Sequence, residues 1–116
     1  MTNVFNFPPL GLYVGPGAPP QNVQCYNTSS TSINVTWNEV LEEKQHGDII
    51  RYTVMYKKMG NVTYESVKVT PISGNFVELR RLNKFTFYDI KVSASTRTGN
   101  GPASNPIKVQ TDEDGK

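Results

Sequence analysis

Apolar and polar positions alternate with period two along Phe85-Thr86-Phe87-Tyr88-Asp89-Ile90-Lys91-Val92-Ser93-Ala94, so that Tyr88, Ile90, Val92 and Ala94 share one side. Such a pattern predicts a half-buried strand. Ser32-Ile33-Asn34-Val35-Thr36-Trp37 repeats it with Ile33, Val35 and Trp37 on one face. So does 50–58, where Ile50, Tyr52, Val54 and Tyr56 oppose Arg51, Thr53, Met55 and Lys57. Seven runs in all read as strands: 22–26, 32–38, 50–58, 65–69, 75–79, 85–96 and 107–111. Turn residues recur between them at the spacing of an all-β sandwich or barrel.

The segment between the second and third runs, 39–48, carries Glu42, Glu43 and Lys44, which favour helix briefly. Its length predicts a loop. Thr98-Gly99-Asn100-Gly101-Pro102 supplies residues tolerant of positive φ and predicts a hairpin with a mobile tip, and Pro106 suits the start of a strand but not a central ladder. The first twenty residues differ from the rest. Pro8, Pro9, Gly11, Gly15, Pro16, Gly17, Pro19 and Pro20 exclude a long helix or ladder, while Phe5, Phe7, Leu10, Leu12, Tyr13 and Val14 make the segment more apolar than a solvated linker. It reads as a leader or interdomain linker, or alternatively as a functional arm.

At 116 residues the chain suits one core. Twelve Lys and Arg against ten Asp and Glu leave a net charge of +2, too little to attract nucleic acid by bulk charge, so any basic function is local. Cys25 is the sole cysteine, which excludes an internal disulfide. No apolar run reaches membrane-spanning length, so direct membrane insertion by this segment is not expected.

Taken in order, the spaced motifs resemble a fibronectin type III domain over residues 19 to about 111. Pro19-Pro20-Gln21-Asn22-Val23 resembles the family's opening, 30–37 its second strand with the core tryptophan, and 47–56 its third strand. Leu79, Leu82 and Tyr88 fall where the family turns into its sixth strand, and Gly99-Asn100-Gly101-Pro102 with Ser104 resembles the hairpin before the seventh. The resemblance implies a seven-stranded antiparallel Greek-key sandwich of immunoglobulin-like type, the first, second and fifth strands packed on the other four. It divides the chain into residues 1–18 as leader or linker, 19–112 as the domain and 113–116 as a C-terminal linker. Tyr88 is then a corner tyrosine whose hydroxyl bonds backbone a few residues upstream. Trp37, Tyr52, Tyr88 and Leu82 form the structural core, with the three aromatic rings expected to meet. Where the family commonly has proline this chain has Lys84, which is expected to loosen the Leu82 turn slightly.

Candidate chemistry is sparse. His46, the sole histidine, stands in a loop beside Glu42, Glu43 and Asp48, a set read as solvated loop rather than metal site. Cys25 shares the face of Val23 and reads as a buried small hydrophobe rather than a nucleophile. Gly99-Asn100-Gly101 lacks the strand-to-helix context of a phosphate loop, and Arg97-Thr98-Gly99-Asn100 does not reproduce the integrin-binding tripeptide of some family members. No cofactor, metal or catalytic residue is assigned, and no enzyme activity is expected.

Three glycosylation sequons occur, at Asn27, Asn34 and Asn61. Asn34 points opposite to Ile33 and Val35, Asn61 follows Gly60 in a turn, and Asn27 is expected in the loop after the first strand. The outward face of the third, sixth and seventh strands carries Arg51, Met55, Lys57, Phe87, Lys91 and Lys108, relieved by Asp89. It reads as a solvated face or as a surface for a protein partner or acidic glycan. Arg80, Arg81 and Lys84 form a second basic group. The expectation is a non-catalytic extracellular or cell-surface module of a larger, membrane-anchored adhesion or receptor protein, serving as spacer and protein-interaction surface beside neighbouring domains. The rival readings are a self-associating or ligand-binding domain, with homophilic contact through the leader or the Arg51, Met55 and Phe87 face, and an intracellular cytoskeletal scaffold module.

Overall fold

The computed structural model describes residues 15–113. The leader's apolar positions Phe5 to Val14, and the linker beyond Glu113, lie outside the described residues. Within them, the alternating runs form strands β1 (Gln21–Ser29), β2 (Ser32–Asn38), β3 (Arg51–Lys58), β4 (Glu65–Val69), β5 (Phe76–Leu79), β6 (Phe87–Thr96), β7 (Gly99–Asn100) and β8 (Ile107–Gln110). One sheet has the order β1-β2-β5. The other has the order β4-β3-β6, with both β7 and β8 pairing with β6, and every pairing is antiparallel.

The two sheets stack their apolar faces. Ile33, Val35 and Trp37 of β2 meet Tyr52 and Val54 of β3 and Tyr88, Ile90, Val92 and Ala94 of β6, all nearly shielded from water. Trp37 and Tyr52 touch directly, their ring centroids 5.3 Å apart and tilted by 57°. Tyr88 belongs to the same core but not to that contact. It is registered opposite Lys58 whereas Tyr52 is opposite Ala94, and six residues along one strand span roughly 20 Å. The three aromatics therefore line the core from end to end instead of meeting.

Tyr88 completes the expected corner: the Asn83 amide donates to its hydroxyl at 2.7 Å. Leu82 beside it is buried, and its amide donates to Thr31 O at 2.9 Å. The turn is thus anchored to the other sheet even with lysine at position 84. Phe85 has φ 50°, a left-handed conformation incompatible with a strand, which is why β6 begins at Phe87 and not two residues earlier.

Three other local expectations are corrected. β1 holds two irregularities, one between Gln21 and Gln24 with Asn22 at φ 52° and one between Asn27 and Ser29, and it runs on to Ser29 through the second, because an extra residue is absorbed without ending the ladder. Residues Glu42–Gln45 form a single helical turn where a loop was expected. It is closed by the Lys44 amide on Leu41 O and by the Gln45 side-chain amide on Val40 O, with His46 in the left-handed region after it. The predicted tip 98–102 is largely paired: Gly99 and Asn100 lie opposite Thr96 and Ser95, leaving Arg97 and Thr98 as a two-residue turn.

Strand directions send the chain in at one pole and out at the other. The incoming segment is tied to the loops around it, the Gly17 amide donating to Lys44 O at 2.7 Å. Its packing is close enough to require glycine. A Cβ on Gly15 would stand 2.0 Å from Gly99 O, and one on Gly101 would stand 2.9 Å from Pro16 O.

Candidate interaction surface

Cross-strand partners in an antiparallel sheet project to the same side, so the register fixes what the outer face of the larger sheet carries. Met55 lies opposite Lys91, and Lys57 opposite Asp89, which in turn lies opposite Lys108. Arg51 is opposite Ser95, and Phe87 is opposite Gln110. All six residues proposed for this surface thus occupy one face. Two more belong with them and were not anticipated: Lys68 lies opposite the outward Thr53 on the edge strand β4, and Tyr64 precedes that strand in the same parity. The signal was available in the alternation Tyr64, Ser66, Lys68.

Three of the cations of this face stand over rings. The ammonium groups of Lys91 and Lys57 stand 4.3 and 5.2 Å from the centroid of Tyr64, and that of Lys108 stands 5.8 Å from the centroid of Phe87. A cation over a ring is attracted by its quadrupole but keeps its charge. Lys57 also donates to Asn61 O at 2.7 Å. Among the described residues the one ion pair joins Arg80 to Glu78 at 3.0 Å on the other sheet, so Arg51, Lys57, Lys68, Lys91 and Lys108 are not neutralised by contact with a carboxylate. Beside Arg51 and Lys68 lies a shallow concavity of about 480 Å3, bordered by Thr53, Met55, Ser93 and Asn100. The Nε of Arg51 is shielded from water without a hydrogen-bond acceptor.

The sequons occupy different settings. Asn61 is exposed in the turn after β3, its side chain unengaged. Asn34 lies in β2 opposite Tyr26 and Glu78, on the outward side, half-buried. Asn27 is corrected from loop to strand. It is registered with the inward Ile33, and its Nδ2 donates both to Gln110 O at 3.0 Å and to Asp112 Oδ1 at 2.7 Å.

Cys25 is registered with the inward Val35 and is half-buried, at the margin of a groove of about 470 Å3 between β1 and β8. Burial pushes its pKa up from 9.0 to about 11. His46 lies against the incoming segment, its Nδ1 3.4 Å from Gly15 O. Among the described residues no group of three or more His, Cys, Asp or Glu side chains is placed to hold a metal, and no helix is long and apolar enough to cross a membrane.

Comparison with known proteins gives this architecture a family. The chain is 38% identical over 99 residues to tyrosine-protein phosphatase Lar of Drosophila melanogaster and 35% identical over 111 residues to protein sidekick-2 of Mus musculus, covering 85% and 91% of this chain. It spans only 5% of the length of either relative, so the resemblance carries no phosphatase chemistry with it. Among solved structures, the FN5 domain of Drosophila Lar superposes with a TM-score of 0.69 at 30% identity over 84% of this chain and 97% of that one. The fn3 domain of human contactin 1 does so with 0.77 at 28% identity over 88% and 83%. The model of the fibronectin type III domain matches residues 18–110, and with the two-sheet order, the core tryptophan and the corner tyrosine in place, the chain belongs to that family.

Proposed function

We propose that this fibronectin type III domain is a non-catalytic module in the extracellular part of a larger adhesion or receptor protein, where it holds its neighbours at a fixed separation and presents the outer face of its larger sheet to a partner. The observation that carries this reading is the fastening of both ends of the sandwich. At the outgoing pole the Asp112 amide donates to Ser29 O, the Phe85 amide donates to Asp112 O, and Asn27 grips Gln110 and Asp112 together. At the incoming pole Gly15 and Pro16 are buried against the β6–β7 hairpin. A chain fastened at opposite poles of a closed sandwich transmits orientation as well as distance, which free linkers do not. Its similarity to segments of Lar and sidekick-2 supports the adhesion or receptor setting.

The test is a distance distribution between spin labels at Gln21→Cys and Glu113→Cys in a Cys25→Ala background. A single narrow distribution is expected, broadening when Asn27→Ala removes the grip on Asp112. A broad distribution in the parent chain would sink the spacer reading.

A further inference from the structure

We infer that the outer face of the larger sheet is a binding site for a linear sulfated polysaccharide. Five cations, Arg51, Lys57, Lys68, Lys91 and Lys108, share this face with one carboxylate, Asp89, on a chain whose net charge is only +2. Charge is therefore segregated onto one side. Neighbouring strands lie roughly 5 Å apart and alternate residues on one strand roughly 7 Å apart, so one extended polyanion crossing the strands meets several ammonium groups in succession.

The kind of cation and the scarcity of apolar anchors select among polyanions. Four of the five are lysines, strongly hydrated point charges that are depleted from protein–protein interfaces, where arginine and open aromatic anchors dominate. Both aromatic rings here are already engaged by lysine, and Met55 is half-buried among hydroxyl-bearing neighbours Ser66, Thr53 and Ser93. Phe87, 45% exposed, is the one large apolar side chain on this face open to water, and a folded protein or acidic peptide needs a cluster of such anchors. A single-stranded nucleic acid needs a free ring on which to stack its bases, and Tyr64 has two ammonium groups over it. Sulfate groups repeated along a hydroxyl-rich chain need neither. They take charge-assisted hydrogen bonds from the lysines and ordinary ones from the hydroxyls between.

The test uses the intact chain on immobilised heparin as a sulfated polysaccharide. Binding is expected, weakening roughly fifty- to a hundredfold between about 50 and about 200 mM salt, as four or five ionic contacts to a single chain dictate by counterion release. Lys57→Gln with Lys91→Gln is expected to weaken it at least about tenfold and Asp89→Asn to tighten it, whereas Lys44→Gln with Arg97→Gln, which removes the same charge at exposed positions of the incoming pole, changes it less than about twofold. Circular dichroism and Trp37 fluorescence verify that each variant is folded. No binding at about 50 mM salt, an equal loss in both double variants, or equal affinity for poly-glutamate, a single-stranded oligonucleotide or phosphatidylserine vesicles would each overturn the assignment. Failure here leaves the label-distance test of the spacer reading untouched, and failure there leaves this one untouched.

Discussion

At Cys25 a single residue shows how burial sets chemistry. Val23 and Val35 flank it on the inner face of β1 and β2, and burial there disfavours the thiolate, which raises the pKa to about 11. Because the folded state holds this proton more tightly than the unfolded chain, the associated stability is present below pH 9.0 and is lost as pH rises through about 11. At pH 8 the thiolate fraction is about a hundredfold lower than in the unfolded chain, and with the greater nucleophilicity of the more basic thiolate offsetting part of this, alkylation by iodoacetamide is expected to slow about tenfold or more in the native domain. Equal rates in native and denatured protein would show the thiol to be freely exposed. Alternation alone sets this side chain inward, and it orients Trp37, Tyr52 and Lys91 equally well. It did not place Asn27, since Asn27-Thr28-Ser29-Ser30 reads as a turn by composition, and nothing local announces that its amide will be used by residues more than eighty positions away.

The same division holds for whole elements. Strands were legible because their alternation is dictated by a core on one side, and 32–38 and 65–69 coincide with the central β2 and the edge strand β4 to the residue. Strand ends and turns were less so, being decided by hydrogen bonds between distant segments. The connection from β5 to β6 is the clearest case, with Arg81 at φ 59° and Phe85 at φ 50°, two non-glycine residues held in a sparsely populated region. What holds them includes Thr111, which is 1% exposed. Its Oγ1 accepts from the Thr86 amide at 2.9 Å and donates to Asn83 O at 2.7 Å. Thr111→Val keeps the shape and removes both bonds, so urea unfolding is expected to show a loss of about 2 kcal/mol. Tyr88→Phe orphans only the Asn83 amide, beside an exposed residue, and is expected to cost about 1 kcal/mol. A Thr111→Val variant as stable as the parent would mean the turn is held without this clamp.

For the molecule as a whole, the three sequons make the extracellular reading and the charged face bear on one another. A glycan replaces one of the two hydrogens on Nδ2. At Asn61 neither hydrogen is in use, and at Asn34 the side chain faces outward on the smaller sheet. At Asn27 both hydrogens hold the outgoing chain. Expression through the secretory route is therefore expected to yield glycopeptides at Asn61 and Asn34 and an unmodified Asn27, read by mass spectrometry after glycosidase treatment in heavy-oxygen water. Full occupancy of Asn27 in a domain of undiminished stability would show that the grip on Asp112 is dispensable. The Asn61 glycan has a further consequence, because the Lys57 ammonium bonds the backbone oxygen of that same residue. A bulky neutral substituent there stands at the margin of the cationic face, whereas one at Asn34 is on the opposite side of the sandwich. Trimming each glycan to its first sugar with an endoglycosidase, which leaves the Asn61 amide uncharged, should accordingly strengthen heparin binding in the parent chain and leave it unchanged in Asn61→Gln, and a domain that shows the reverse would place the anion-binding residues away from Lys57 and Tyr64.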